Sequence, residues 1–191
     1  MSLPRHGSER DDEDRMILQQ ILAGQKELFV LLVKRYEQAV HGMGLSFFHN
    51  ADDASDFVQE VFLKVFRNLG CFEGRSRFST WLYRIAYNTA VNSVSRKKEY
   101  SSLAEDEIIP DGDTPERKAL RAEMREAVLE AVKELPERYR ICVDLFFFYD
   151  CSYQEIEVIT GFPVNTIKSH VFRAKKLLRE KLKHLVEGGV A

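Results

Sequence analysis

The sequence predicts an all-α protein made of two small helical bundles joined by a flexible acidic linker, with a helix-turn-helix in the C-terminal bundle. Apolar residues recur at three- and four-residue spacing over most of the 191 residues, which is the spacing of one helix face. No segment alternates convincingly between apolar and polar residues, as a half-buried strand does. An acidic stretch with prolines and a glycine divides the helical pattern in two.

The composition is that of a globular chain that exposes many charged helix faces. Hydrophobic residues make up 45% of the chain and charged residues 30%, and the formal net charge is -2. Residues 1–15 lack the apolar core of a secretory signal, and no apolar run approaches the length of a membrane span. We therefore expect a cytoplasmic protein that does not insert directly into a membrane.

The three cysteines predict neither a zinc site nor a disulfide framework. Cys71, Cys142 and Cys151 have no C-x-x-C spacing and no histidine pair near them. An odd number of scattered thiols fits a reducing cytoplasm, and we expect each thiol to fill a small apolar space.

The first bundle is expected to follow a disordered or frayed segment that ends near Asp14. A helical pair broken at Gly24 comes next. Its apolar face consists of Ile17, Ile21, Leu28, Leu31, Leu32 and Tyr36. A separate third helix is expected to carry Val40, Met43, Leu45 and Phe48.

A strongly amphipathic helix is predicted from about Asp53 to Leu69, with caps supplied by residues 50–53. Its apolar stripe consists of Phe57, Val58, Val61, Phe62, Val65, Phe66 and Leu69. Carboxylates lie near its start and Lys64 and Arg67 near its end, as the helix dipole favours. A loop over residues 70–75 leads to another helix from about Ser79 to Arg96.

Residues 101–115 are expected to form the linker, because they combine five carboxylates with two prolines and few residues to bury. A helical pattern resumes near Arg117 and is broken by Pro136. A further helix is predicted from Tyr139 to Phe148.

The C-terminal region carries the signals of a helix-turn-helix. Ser152 and Glu155 have the spacing of a capping box, and Gly161 suits a left-handed helix end. Asn165 or Thr166 can cap a second helix from about residue 164 to 185. Its expected buried stripe is Ile167, Val171, Ala174, Leu177 and Leu178.

That second helix is strongly basic, with seven bases and one acid up to residue 185, which gives +6. In a helix-turn-helix, the N-terminal residues of this helix reach base edges in the major groove, and later cations reach phosphates. We interpret the pattern as DNA binding. The alternative is a solvated basic helix of an αα-hairpin.

The stretch from Gly74 to Lys98 contains six basic residues and no acidic residue. Aromatic residues are interleaved with the bases at Phe78, Trp81, Tyr83 and Tyr87. Cations follow phosphates and flat rings stack on unpaired bases, so this pattern favours an exposed nucleic-acid strand. The alternative is a buried helix whose arginines extend to water.

Three motifs in this order resemble the extracytoplasmic-function (ECF) group of bacterial RNA polymerase sigma factors. They are the segment Asp53–Phe62, the segment Phe72–Ala86 followed by Asn88, and the helix-turn-helix. The resemblance extends from about Asp14 to Leu185. It implies a region 2-like domain over residues 14–99, a linker over 100–116 and a region 4-like domain over 117–187.

The resemblance also implies three binding sites. Core polymerase would contact Asp53, Asp56, Gln59, Glu60, Leu63 and Arg67. The minus-ten element would contact Phe72, Arg75, Arg77, Phe78, Trp81, Tyr83, Arg84 and Asn88. The minus-thirty-five element would contact Asn165, Thr166, Lys168, Ser169, His170, Phe172, Arg173 and Lys176.

Helix geometry restricts these assignments, because Trp81 and Tyr83 cannot both face DNA from one stripe, and we expect at least one to be core. Three residues also depart from the family pattern. Ser55 stands where the family more often has an acidic residue. Glu157 stands where the family usually has alanine, and His170 stands where it often has arginine. The change at His170 implies a different base preference.

The partners implied are core RNA polymerase, promoter DNA and an anti-sigma factor. No cofactor, metal, catalytic residue or small-molecule substrate is expected. One alternative is a stand-alone helix-turn-helix regulator with a symmetric operator. Another is a helical enzyme that holds a divalent metal with Asp52, Asp53, Asp56 and Glu60, and a third is a pure interaction protein.

Overall fold

A computed structural model describes residues 7–98 and 127–183, with side chains described for residues 10–95 and 127–183. Within these ranges the chain forms eight α-helices and no strand, as the helical periodicity predicted. The predicted linker, and residues 117–126 where the sequence predicts that the helical pattern resumes, lie outside the described residues.

The first four helices belong to one compact unit. They are α1 (Gly7–Leu22), α2 (Phe29–Phe48), α3 (Ala51–Arg67) and α4 (Phe78–Lys98). The second compact unit contains α5, α6, α8 and the N-terminal part of α7. These helices are α5 (127–133), α6 (Glu137–Val143), α7 (Tyr153–Thr160) and α8 (Val164–Lys181).

Helix α1 begins at Gly7, so the expectation of a disordered segment through Asp14 is wrong. The carboxylate of Asp14 is only 1% exposed and accepts hydrogen bonds from the Tyr36 hydroxyl and, over 2.6 Å, from Arg35. Arg35 also pairs with Glu13 over 2.7 Å. These contacts hold α1 against α2, although the polar sequence of this segment suggests that it is solvated.

Burial raises the pKa of Asp14, although the hydrogen bonds from Tyr36 and Arg35 act in the opposite direction. The same burial, together with the hydrogen bond to Asp14, raises the pKa of Tyr36. The phenol therefore stays protonated and donates, as the contact between α1 and α2 requires.

Helix α2 is one continuous helix, whereas the sequence suggested a break before Val40. The predicted break at Gly24 is confirmed, since this glycine has φ +115° just after α1. Gly44 lies where α2 crosses α3, and a Cβ there would approach Phe57 to 2.9 Å and Ala54 to 3.1 Å. Close packing of the two helices thus depends on this glycine.

Helix α3 begins at Ala51, slightly before the predicted start near Asp53, and it is capped as predicted. The Asn50 side chain accepts a 3.0 Å hydrogen bond from the Asp53 backbone N–H. Most of its predicted stripe is buried. Phe66 is instead 40% exposed, and Leu31 on α2 is 44% exposed. Both lie at the edge of the buried face rather than in it. Cys71, in the turn after α3, is exposed and does not fill an apolar space.

In the second unit, Pro136 separates α5 from α6 as predicted. Arg140 is buried and donates a 2.8 Å hydrogen bond to the carbonyl oxygen of Lys133, which ties the two helices together. The core cluster consists of Leu135, Val143 and Ala174, with Tyr139, Leu177 and Leu178 packed against it. None of the helices within the described ranges combines the length and the apolar character that a membrane span requires.

We expect the substitution Asp14→Ala to lower the free energy of unfolding by about 1–3 kcal/mol, because it leaves the buried Tyr36 hydroxyl without its acceptor. Denaturant unfolding of the full chain measures this change. Asp12→Ala is the matched control on an exposed position of α1 and should change stability by less than about 0.5 kcal/mol. Equal effects of the two substitutions would contradict the anchoring role of Asp14.

Candidate nucleic-acid interfaces

The outer face of α3 presents a polar surface with an apolar centre. Asp56, Gln59, Glu60 and Arg67 are exposed there, and Leu63 is 56% exposed among them. Their spacing of three and four residues places these five side chains on one side of the helix.

Two polar contacts fix part of this surface. Glu60 pairs with Lys64 over 2.6 Å, and the Lys64 amine also lies 3.2 Å from the Thr89 hydroxyl of α4. Asp53 is half-buried, and its backbone N–H takes part in the helix cap. Asp53 therefore lies at the edge of the face rather than within it.

The loop before α4 is held in place by an aromatic cluster. The Phe72 ring lies 5.8 Å from the Phe78 ring and 5.3 Å from the Trp81 ring. Phe78 in turn packs 5.6 Å from the ring of Tyr36. Phe72 and Trp81 remain half-buried and so keep part of their surface accessible.

Two of the predicted minus-ten contacts are core residues instead. Phe78 is 3% exposed and Tyr83 is 5% exposed. Tyr83 packs with its ring 6.2 Å from Tyr36, so the prediction that at least one of Trp81 and Tyr83 is core is confirmed. Burial leaves neither ring open to DNA in this structure. Phe78 packs against Phe72 of the loop, and Tyr83 packs against Tyr36 of α2.

The loop cations differ in accessibility. Arg75 is 84% exposed at its side chain and pairs with Glu73 next to Gly74, whose φ of +69° makes the turn. Arg77 is 23% exposed at its side chain, and its Nε lies 3.9 Å from the Asp11 carboxylate of α1. Arg75 is therefore the cation that this loop offers most openly.

The outward side of α4 is a polar stripe. Leu82, Ala86 and Ala90 are fully buried, and Arg84 and Asn88 point to the opposite side. Asn92 and Ser95 continue that stripe at helical spacing and are also exposed. Sequence reasoning overlooked these two, although their spacing from Asn88 signals them. The side chains of residues 96–98 lie outside the described residues.

The helix-turn-helix has the predicted capping box. The Ser152 backbone N–H donates to the Glu155 carboxylate over 2.8 Å, and the Glu155 N–H donates to the Ser152 hydroxyl over 3.3 Å. Gly161 has φ +76°, which confirms the predicted left-handed residue in the turn.

The start of α8 is capped differently from the prediction. Neither Asn165 nor Thr166 caps it, because α8 already begins at Val164. Instead, the Val164 N–H donates over 3.1 Å to the carboxylate of Glu157 on α7. The acidic side chain thus joins the two helices of the motif at the positive end of the α8 dipole.

Helix α8 separates an apolar side from a basic side. Ile167, Val171 and Ala174 are buried, as predicted. Most of the predicted DNA contacts are exposed, while Thr166 and Ser169 are half-buried. The exposed ones are Asn165, Lys168, Phe172, Arg173 and Lys176. Phe172 is 71% exposed, which is unusual for so large an apolar side chain.

His170 does not lie on the outward basic face. Its ring lies 5.1 Å from Tyr139 and 5.8 Å from Phe162, and its Nδ1 lies 3.7 Å from the Cys142 sulfur. These neighbours make the imidazole part of the packing between α6 and α8. His170 is half-buried, and its predicted base contact stays a prediction. Burial raises the pKa of the Cys142 thiol to about 12, so it stays protonated.

Aromatic rings flank α8 on another side. The Phe146 and Tyr153 rings are parallel, with centroids 4.8 Å apart. The Lys175 amine lies 4.9 Å from the Phe147 ring centroid, and the Lys168 amine lies 5.9 Å from the Tyr153 centroid.

The π-helical turn Asp144–Phe148 leaves Phe147 51% exposed and Phe148 56% exposed. The apolar run had suggested a regular helix and did not reveal this exposure. Two adjacent exposed phenylalanines indicate a surface that a partner can cover.

Among the described side chains, no three His, Cys, Asp or Glu residues are arranged to hold a metal ion. The carboxylates at the start of α3 accordingly form no such group.

Comparisons with known proteins match both units. The Sigma-70 region 2 model matches residues 32–100, and the Sigma-70 region 4 model matches residues 125–178. The chain is 36% identical over 186 residues to the RNA polymerase sigma-H factor of Pseudomonas aeruginosa, covering 92% of this chain and 96% of that protein. It is 34% identical over 184 residues to the ECF RNA polymerase sigma-E factor of Escherichia coli K12, covering 91% and 96%.

A solved structure is also similar. The sigma factor RpoE in complex with the anti-sigma factor NepR from Bartonella quintana superimposes with a TM-score of 0.65 at 25% identity, covering 83% of this chain and 96% of RpoE.

We expect acidification to destabilise the second unit through His170. Burial, and then the charges of Arg138 and Arg173, lower the pKa of His170 below its ordinary value of 6.5. Just below that value the unfolded chain binds a proton at His170 that the folded chain does not. The free energy of unfolding therefore decreases as the pH is lowered through this range.

Unfolding of the wild type and of His170→Gln, measured between about pH 7.5 and about pH 5, isolates this effect. The wild type should lose stability relative to the variant as the pH falls. A difference that stays constant over the range would contradict the expectation.

Proposed function

The chain belongs to the sigma-70 family and is an RNA polymerase sigma factor of the ECF group, and on this basis we propose how its surfaces divide the work of transcription initiation. The outer face of α3 binds core polymerase. The loop before α4 and the outward stripe of α4 bind the minus-ten element, and α8 binds the minus-thirty-five element.

The α3 face has the properties of a protein-docking surface. An exposed Leu63 surrounded by Asp56, Gln59, Glu60 and Arg67 resembles the apolar centre and polar rim of a binding site. The charges at the rim select the partner and its orientation, and the leucine supplies area that is buried on binding.

The α4 surface suits a melted strand. Arg75 and Arg84 supply cations for the phosphates, and the half-buried Phe72 and Trp81 supply rings next to the loop. Asn88 extends the outward stripe with an amide that can donate to and accept from an unpaired base. The buried Phe78 and Tyr83 stabilise the helix that carries this surface.

The α8 surface suits duplex DNA. Asn165, Lys168 and Phe172 lie in its first turns, where a recognition helix meets base edges in the major groove. Lys176 lies later in the helix and is placed for a phosphate. Glu157 fixes the start of the helix and so the position of its first turns.

One observation supports the proposal most directly. The three surfaces lie on α3, on α4 with the loop before it, and on α8, and they share no residue. Polymerase and both promoter elements therefore do not compete for the same side chains. A stand-alone regulator needs no exposed docking face on α3. The chain itself does no chemistry, and RNA synthesis belongs to the polymerase.

Polymerase contacts also have an energetic role. Unstacking and flipping bases costs a few kcal/mol. The DNA contacts of this chain and the contacts with polymerase together offset this cost. We accordingly place the protein in the cytoplasm with the polymerase. The similar sigma factor RpoE is in complex with the anti-sigma factor NepR, and we include an anti-sigma factor among the partners of this chain. Such a partner would inhibit this chain by covering the α3 face.

We expect Leu63→Asp to weaken retention by core polymerase at least about tenfold, because it puts a charge at the centre of the docking face. Co-purification of core enzyme with the tagged full-length chain measures retention. Met16→Asp is the matched control, since Met16 on α1 is also 56% exposed. Equal retention of the two variants would contradict the assignment of the α3 face.

We expect Arg84→Glu and Lys176→Glu to impair different steps of promoter recognition. The first should impair strand opening, and the second should impair duplex binding. Arg84→Glu should abolish strand opening by the holoenzyme, because it repels the phosphates of the melted strand. Permanganate reactivity of unpaired thymines measures opening. Binding to a fragment that carries only the minus-thirty-five element should stay unchanged.

Lys176→Glu should weaken binding to that fragment and reduce its salt dependence by about one released counterion. Binding titrations at several salt concentrations give the slope. If both substitutions impaired the same step, the assignment of strand opening to α4 and of duplex binding to α8 would be wrong.

A further inference from the structure

Tyr139 lies on α6, outside the helix-turn-helix, yet its side chain reaches the exposed face of α8. Nη1 of Arg173 donates a hydrogen bond to the Tyr139 hydroxyl over 3.3 Å. Tyr139 packs against the core cluster that contains Val143 and Ala174, whereas Arg173 is exposed. The phenol therefore connects a solvent-exposed guanidinium to a ring that the core holds in place.

The Tyr139 ring is held from α8 as well. The His170 ring lies 5.1 Å from it at an interplanar angle of 47°, and Phe162 packs edge-on at 5.8 Å from His170. His170 and Arg173 are three residues apart and so lie next to each other on the helix surface. The histidine therefore fixes the ring whose hydroxyl holds the arginine.

A hydrogen bond of this kind lowers the entropy cost that an arginine side chain incurs when it binds in the major groove of DNA. An exposed arginine loses much rotamer freedom when it binds, and a guanidinium held beforehand loses less. The guanidinium has five N–H donors, so one bond to a phenol leaves enough donors for the paired contact with a guanine edge. A held guanidinium also tolerates a displaced or mismatched edge less well.

We propose that Tyr139 is a positioning residue that holds Arg173 and thereby sets how strictly this chain selects one base pair of the minus-thirty-five element. The proposal rests on the proposed role of α8 and adds a residue from outside the helix-turn-helix. His170 supports the phenol.

The test uses the full-length chain assembled with core polymerase and a promoter library randomised over the minus-thirty-five element. Sequencing of the bound promoters gives the base preference at each position. Tyr139→Phe removes the accepting oxygen and keeps the ring against His170. It should reduce the preference at one base pair about fivefold, as the loss of one hydrogen bond implies, and leave the other positions unchanged.

Two further substitutions make the result specific. Arg173→Lys should lose the preference at the same base pair, because lysine cannot make the paired contact. The double variant should lose no more than Arg173→Lys alone, since both changes remove one interaction. Tyr149→Phe is the matched control, because Tyr149 is a half-buried tyrosine of the same unit outside the helix-turn-helix, and it should keep the wild-type preference at every position.

Three results would overturn the proposal: unchanged preference at every position in Tyr139→Phe, weakening spread evenly over all positions, or losses that add in the double variant. Even weakening is the result that a purely structural role predicts. If the wild-type holoenzyme selected no minus-thirty-five sequence, the role of α8 would be wrong and this proposal with it. A selective wild type with an unaltered Tyr139→Phe profile overturns the positioning role alone.

Discussion

Each functional helix of this sigma factor buries one stripe of its surface, and that burial fixes what the opposite side presents to partners. On α4 the buried Leu82 and Ala86 leave Arg84 and Asn88 facing outward. On α8 the burial of Val171 leaves the basic side of the helix facing outward. The helical period of 3.6 residues makes the two sides inseparable, so a change in packing also changes the binding surface.

Polar contacts and one small residue hold the first unit together alongside its apolar core. The buried Asp14 ties α1 to α2, and Gly44 lets α2 approach α3 closely. Asn50 starts α3 at a defined residue and so sets which side chains its outer face contains. The exposed Leu63 of that face therefore depends on contacts that lie elsewhere in the unit.

The recognition helix is shaped by neighbours that do not belong to its basic face. Glu157 on α7 caps its start, and Tyr139 on α6 contacts its exposed arginine. His170 packs against Tyr139 and Phe162. Glu157 thus has a structural use, because its carboxylate accepts from a backbone N–H in the first turn of α8, where helix N–H groups have no acceptor within the helix.

The sequence by itself determined the all-α class, the capping box at Ser152, the Asn50 cap and the inward stripe of α8. These features depend on residues a few positions apart, whose spacing and capping chemistry are visible in any sequence. Only the tertiary structure decided that Asp14 is buried against Tyr36, 22 residues away, and that Tyr139 holds Arg173, 34 residues away. Such contacts arise where separate helices pack, and their geometry is not encoded in local periodicity.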